Sequence, residues 1–548
     1  MHRRQLAALT LLSGSAGLSY EVLYARLAGQ YFGEVFYVQA GVLCTTVLGI
    51  AVGALYADRL RGRLAQVELG LGFFALVAAA IHALFFASVV GKLVPEGAGP
   101  VVPLVVTATV LLPAAAAMGA CIPLFADAWR NDDAYPRTYG LYNLGAAVAI
   151  LAVEYTIVRR LGLTGTLVVF GLVDIAVGLR LRRLPPTARQ PARTVTGRLP
   201  LVALVVAGAL SGVYQLHALK QMQIFWGPFR ETFTLHVFAA IASIGVVSLV
   251  LARWRVRWTT WLTVLAIGLP LTLALPSIVM PAYPTAVHGV EGLPRNAIGL
   301  LFIAVLYLPP LMLIGGLLPS LYNTFPDAGG TPLGMNALGN ALGFAAYPLL
   351  LHPIASDRTI LVGVGAGFVA VAVLASRRAV AWAGALGVVV LGLAFDARLY
   401  TVCFRDLYSP EDFRRAIGAG DVRGTIVAGP DTLVYREREG GVRSATVNGH
   451  RTVWVHERSG NLAELLHGVV SLPYVSRRGH ALAIGVGTGI SSGALAETFD
   501  RVTAVEISAV VVDGLQHFAE FNFDLASRPD VEIRVADGLM HLYRTDER

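Results

Sequence analysis

The chain has 548 residues, of which 55% are hydrophobic and 14% charged, with a mean hydropathy of +0.64. Soluble domains carry about 25% charged residues, so a wholly soluble protein is excluded. The net charge of +8 divides into +11 over residues 1–396 and −3 over residues 397–548. Charge density is roughly 10% in the first part and roughly 24% in the second, the latter close to the soluble norm. The basic balance thus belongs to a membrane part and gives no nucleic-acid signal.

Apolar runs of the length needed to cross a bilayer, about 20 residues, recur near 6–28, 35–57, 66–90, 101–125, 138–158, 163–181, 200–220, 231–252, 258–278, 297–322, 333–352 and 358–375. A shorter one follows at 379–395, so hydropathy predicts 12 or 13 helices. The first run has a basic flank but no small-residue cleavage site, and reads as a retained helix. Arginine clusters at Arg3-Arg4, 58–63, 180–198, 253–257 and 377–378 fall on one side of this arrangement, which the positive-inside rule makes cytoplasmic. Twelve helices with both ends of the bundle inside fit this pattern. The 379–395 segment is then expected to be re-entrant or interfacial, or one upstream run to be miscounted, leaving the C-terminal region on the cytoplasmic side of an inner (plasma) membrane. Cys44, Cys121 and Cys403 have neither disulfide nor metal-ligand spacing.

An internal repeat underlies the helices. Tyr20-Glu21 and Tyr31-Phe32-Gly33 correspond to Tyr214-Gln215 and Phe225-Trp226-Gly227, an offset of 194 between residues 20 and 214. Met118-Gly119 with Pro123 corresponds to Ile314-Gly315 with Pro319, and Leu144-Gly145-Ala146 to Leu338-Gly339-Asn340. Two parallel units of about six helices, 1–190 and 200–396, are one architecture of secondary transporters. Glu21, Gln215 and His217 are the polar candidates inside these spans, with Glu154 and Asp174 behind them. Ionisable groups in hydrocarbon are costly and face a partner or a cavity, so they serve either as contacts between helices or as a substrate or proton site.

From residue 400 the texture is soluble. Short strands near 425–427, 431–438, 443–447 and 452–455, with Asn448-Gly449 as a hairpin turn, form a β segment, and a helix is expected over 460–475. The buried strand 480–484 then runs into Gly485-Val486-Gly487-Thr488-Gly489 and a helix. Strand 501–505 ends on Glu506, and strand 531–535 leads to Asp537-Gly538. Glycines after a first strand admit a ligand close to the backbone, and an acid after the second can hold a ribose diol. Residues 476–548 therefore read as a nucleoside-binding half-domain of α/β type.

The order "AIGVGTG…VTAVEIS…VEIRVADG", preceded by "VNG", resembles the spermidine synthase family of class I methyltransferase-like (Rossmann-type) folds. The N-terminal "SGSAGLSYEVLYARLAG" is similar to bacterial members fused to a multi-pass membrane bundle. The resemblance implies S-adenosylmethionine or decarboxylated S-adenosylmethionine, held by Gly485, Gly487, Thr488, Gly489, Glu506, Asp537 and Gly538, and a small amine as substrate. The departures concern catalysis. Thr488 stands where the family has Asp, Thr452 where it has Gln, and Asn461-Leu462-Ala463 where it has Tyr-His-Glu, although His467 matches a later family histidine. The family's catalytic acid ends a fourth strand, and no candidate for it precedes Arg548. Three core strands leave an open edge that further residues or a second chain would have to pair.

Two functions follow. One is a membrane-bound aminopropyl- or alkyltransferase, inactive or incomplete as the sequence stands. The other is a transporter-like protein whose tail senses a nucleoside without chemistry.

Overall fold

The computed structural model describes residues 2–545 apart from 33–35, 94–100, 130–133, 185–197, 228–229, 376–378, 405–406, 419–421, 429–430, 439–441, 449 and 456–460. Gly33, most of the 182–200 linker and Arg377-Arg378 lie outside the described residues.

Hydrocarbon offers backbone groups no water, so long apolar runs satisfy them internally as helices. The first unit comprises α1 (His2–Phe32), α2 (Phe36–Tyr56), α3 (Leu64–Leu93), α4 (Val101–Trp129), α5 (Ala134–Ala152) and α6 (Val158–Leu181). The second comprises α7 (Arg198–Trp226), α8 (Arg230–Trp254), α9 (Trp258–Leu273), α10 (Gly292–Gly315), α11 (Thr331–Ala346) and α12 (Asp357–Ala375); α13 (Ala379–Ala394) follows. Among the described residues ten runs are long and apolar enough to cross a membrane, fewer than hydropathy predicts. The reason is local. Helices α5 and α6 fall in one run, Ala134–Leu181, which holds a π-helical turn and then breaks its helical backbone at Gly162 (φ +69°), while α11 and α13, at 16 residues each, fall short of a full span by length alone.

Both units pack by the same plan. Helix α1 lies on α5 as α7 lies on α11, α3 on α6 as α9 on α12, and α2 on α4 as α8 on α10. The units then interlock reciprocally, α5 against α8 and α11 against α2. Glycine seams make the closest approaches. A Cβ on Gly145 would sit 2.1 Å from the Leu11 carbonyl oxygen, and one on Gly339, 194 residues later, 2.1 Å from that of Val205. Small residues are how helices approach closely where the surrounding lipid supplies no hydrophobic drive. The π-helical turns Val153–Ile157 and Tyr347–Leu351 stand at the same offset.

Helix alternation puts the described arginine-rich turns, 57–63 between α2 and α3 and 255–257 between α8 and α9, on the N-terminal face of the bundle. The tail is on the other face. Helix α13 packs along α9 and α12. The Asp396 amide just beyond it donates to Ser277 Oγ (3.1 Å), in the connection between α9 and α10. Sixteen residues cover about 24 Å at 1.5 Å per residue. The 379–395 segment, expected to be re-entrant or interfacial, is a helix that runs between the two faces of the bundle beside two long neighbours. The C-terminal region leaves the bundle at the face opposite the N-terminus, where the same side was expected.

Leu399, Tyr400, Phe404, Leu407 and Phe413 are buried in the core of the bundle itself, and Arg295 donates to the Leu407 carbonyl (2.6 Å). A four-stranded antiparallel meander follows, β1 (Val422–Ala428), β2 (Asp431–Arg438), β3 (Val442–Val447) and β4 (His450–Val455), in that order. The expected 460–475 helix is the shorter Leu462–Val469. A three-stranded parallel sheet closes the described chain, with neighbours β5 (His480–Ile484), β6 (Arg501–Glu506) and β7 (Val531–Val535) in sequence order.

Candidate functional site

Where the two units meet there is a cavity of about 100 Å3. Apolar walls come from α2, α4 and α8, through residues such as Val47, Ile122 and Ile241. Its polar groups converge from both units: Glu21 of α1, Tyr139, Tyr142 and Asn143 of α5, Gln215 of α7, His236 of α8, and Asn336 and Asn340 of α11. Gln215 donates to Ser211 Oγ (2.9 Å), and Asn143 donates to the Tyr139 carbonyl (2.7 Å). His236 Nδ1, Asn340 Oδ1 and the Tyr142 hydroxyl have no hydrogen-bond partner among the described residues. Buried polar groups normally find partners, so donors and acceptors are held here for something other than the protein. Glu21 is 5% exposed and forms no ion pair or hydrogen bond among the described residues.

Glu21 and Gln215, paired by the repeat, thus share this cavity, while the remaining membrane candidates do not. His217, two residues from Gln215, is turned towards α11 and α12; its Nδ1 lies 3.4 Å from the Tyr347 hydroxyl and 3.6 Å from Asp357 Oδ1. Glu154 pairs with Arg26, accepts from Thr234 (2.9 Å) and lies 3.5 Å from Arg230, tying the two units together near the tail-side ends of α1, α5 and α8. Asp174 accepts from the Tyr20 hydroxyl (2.7 Å). Asn143, His236, Asn336 and Asn340 escape the sequence reading, because neutral polar residues in helices carry no signal of which cavity they face. Glu68 escapes it too, although a lone acid in an apolar run is the cue that marks Glu21.

In the tail, Gly485, Gly487 and Gly489 have φ of +81°, +58° and +86°, and open space surrounds the first two. Only glycine adopts such a run without strain, and it leaves bare backbone that a ligand can approach. Glu506 is 7% exposed. One of its oxygens accepts from the amide of Val486 (2.8 Å) and the other from that of Ser508 (3.0 Å), so the carboxylate braces its own loop. Asp537 Oδ1 accepts from the Met540 amide (2.9 Å) and caps the last helix, Gly538–Arg544. At Gly538 a Cβ would come 2.3 Å from Ile484. Thr488 is buried at 4% exposure, its carbonyl accepting from Asn522 (3.0 Å). Glu506 thus holds its own loop with both oxygens, whereas Asp537 uses only Oδ1 on its cap. A hydrogen-bonded chain links this loop to the bundle: Ser508 Oγ donates to Asp431 (2.7 Å), Asn448 Nδ2 donates to the same carboxylate (2.8 Å), and Lys220 of α7 donates to Asn448 Oδ1.

No protein-family profile matches the chain, and no curated protein is significantly similar to it. Among solved structures, a spermidine synthase with a transition-state analogue is similar over 22% of this chain at 14% identity and TM-score 0.20; the chain spans 43% of that protein's length. The major facilitator superfamily proton:xylose symporter XylE is similar over 74% of this chain and 98% of its own, at 12% identity and TM-score 0.43. The human organic anion transporter MFSD10 is similar over 71% of this chain and 99% of its own, at 12% identity and TM-score 0.40. At such scores none of these proteins' activities carries over. The aminopropyltransferase reading of the whole chain is nevertheless corrected: the structures alike over most of the chain are membrane transporters, and the synthase likeness is confined to a small part. Long and short likenesses come from different proteins, so a membrane-fused synthase finds no support in them. A multi-pass helical membrane protein in a lipid bilayer stands.

Proposed function

We propose that the bundle is a transporter-like protein that binds a small amine in the cavity between its two units and carries it across the membrane. The observation that carries this reading is the Glu21 carboxylate, buried in that cavity without a cation, among amide and imidazole groups contributed by both units. A carboxyl buried without a cation is either protonated or paired with an incoming charge, and an ammonium ligand supplies that charge. Sites at the interface of two repeats, near mid-membrane, are where alternating access operates. With the arginine-rich turns in the cytoplasm of an inner membrane, the N-terminus is cytoplasmic and the tail faces the other side.

The tail is a non-catalytic nucleoside-binding module in this proposal. Gly485 and Gly487 would admit the adenosyl part of S-adenosylmethionine or its decarboxylated form, with Thr488, Gly489, Glu506, Asp537 and Gly538 shaping the loop around it. The units 1–190, 200–396, 400–475 and 476–548 are the working divisions.

Calorimetry on the purified protein tests both halves. Short-chain amines should release heat with the wild type and none with Glu21→Gln; equal heats would remove the amine site. S-adenosylmethionine, its decarboxylated form and methylthioadenosine should bind the tail independently of that substitution, and no heat with any of the three would remove the nucleoside assignment.

A further inference from the structure

A second polar cluster lies inside the first unit, behind the cavity wall. Glu68 of α3 and Asp174 of α6 are both fully buried. Ser13 Oγ donates to Glu68 Oε1 (2.6 Å) and the Tyr20 hydroxyl to Asp174 Oδ2 (2.7 Å), leaving Glu68 Oε2 and Asp174 Oδ1 without a hydrogen-bond partner among the described residues. The other titratable groups that face the pair are Cys121 of α4 and Tyr142 of α5; no Lys, Arg or His among the described residues faces either carboxyl. Like charges sharing a site of low dielectric cannot both be ionised, and no internal cation offsets them as Arg26 offsets Glu154.

Tyr142 points to a ligand independently of the acids. It is 1% exposed, its hydroxyl has no hydrogen-bond partner among the described residues, and that hydroxyl lies against Gly17, where a Cβ would come within 2.3 Å of it. Gly17 sits on α1 between Ser13 and Tyr20, the two donors to the carboxyls. Tyr142 also lines the cavity. One side chain therefore reaches from the cavity wall to the acid pair.

We propose that Glu68 and Asp174 form a proton-binding site that loads and unloads one proton per transport cycle, with Tyr142 linking it to the cavity. A carboxylate oxygen gains the proton from hydronium in the aqueous path, leaving water, and returns it to water on the opposite side. The second unit has Leu262 and Phe368 at the equivalent positions, so the site belongs to one half of the repeat only. The inference rests on the transport reading for its coupling role, but not for its chemistry.

Infrared difference spectroscopy during an alkaline titration tests the chemistry without any substrate. The wild type should show a protonated carboxyl band that is lost as pH rises, and Glu68→Gln and Asp174→Asn should each remove it. Ser13→Ala, which keeps both acids, should move the band to higher frequency by removing a hydrogen bond to the carboxyl. A band unchanged in all three variants overturns the site. The coupling is tested in proteoliposomes: Asp174→Asn should lose at least tenfold in amine uptake driven by a pH gradient while amine-for-amine exchange persists. Gradient-driven uptake that survives both acid substitutions overturns the coupling and leaves the transport reading standing. Absence of all uptake and exchange in the wild type defeats the transport reading instead, while the infrared result still decides the proton site.

Discussion

The two membrane units share a scaffold and differ in chemistry. Helix pairings, glycine seams and π-helical turns recur at an offset of 194, as residues 153 and 347 show. The buried acids do not recur. Glu21, Glu68, Glu154 and Asp174 in the first unit correspond to Gln215, Leu262, Pro348 and Phe368 in the second. One cation is kept, Arg26 corresponding to Lys220, with a change of partner: Arg26 pairs with Glu154 inside the bundle, Lys220 with Asn448 of the tail. Duplication preserved what packing demands, since a seam glycine has no substitute. It released the polar positions, so that one unit holds the charge chemistry and the other the anchor of the tail.

Substitutions can break this comparison. The largest effect is expected from Glu154→Gln, which leaves Arg26 partly buried without its counter-charge; losing one member of a buried pair costs about 3–5 kcal/mol. Thermal unfolding in detergent should drop sharply, whereas Pro348→Ala, at the equivalent site, should not have this effect. Next come the seams. Gly145→Ala and Gly339→Ala each force a Cβ to 2.1 Å from a carbonyl oxygen, and overpacking costs about 1–3 kcal/mol. The two losses should be alike; a large loss at one and none at the other would show that the units do not share this seam.

Much of the scaffold is legible in the sequence because the repeat kept its spacing. The correspondence of Tyr20-Glu21 with Tyr214-Gln215 is enough to put Glu21 and Gln215 at equivalent places in the two units, and both line the cavity. His217 is a different case. At about 100° per residue, two steps along α7 turn it to the far side of the helix from Gln215, so its exclusion from the cavity is readable from spacing. The crossing by α13 is not, because a 16-residue helix is marginal by length and only its packing on α9 and α12 decides. The glycine loop is recognisable by its residues, but nothing in the residue pattern signals that Glu506 braces the loop's own amides.

Smaller effects separate the tail from the bundle. Asn448→Ala breaks the contact of Lys220 with the tail and the link to Asp431. A hydrogen bond to a charged group is worth about 1.5–3 kcal/mol, so protease cleavage within residues 422–455 should rise while the bundle's own unfolding changes little. The smallest effect is a pH dependence. Burial and the neighbouring Arg443 hold the His517 imidazole, stacked on Tyr435, below its ordinary range. The unfolded chain therefore binds this proton more tightly, so its contribution is present above about pH 6.5 and is lost as the pH falls through the depressed folded value. Acid should weaken the tail modestly, and His517→Asn should flatten that dependence.

The most direct measurement is uptake of a labelled short-chain amine into proteoliposomes by the wild type and by Glu21→Gln, which gives the first unit the residue type that the second already has. Uptake by the wild type and at least a tenfold loss in the variant, with folding retained, are what a carboxylate-centred cavity requires. Equal uptake by the two proteins would contradict it.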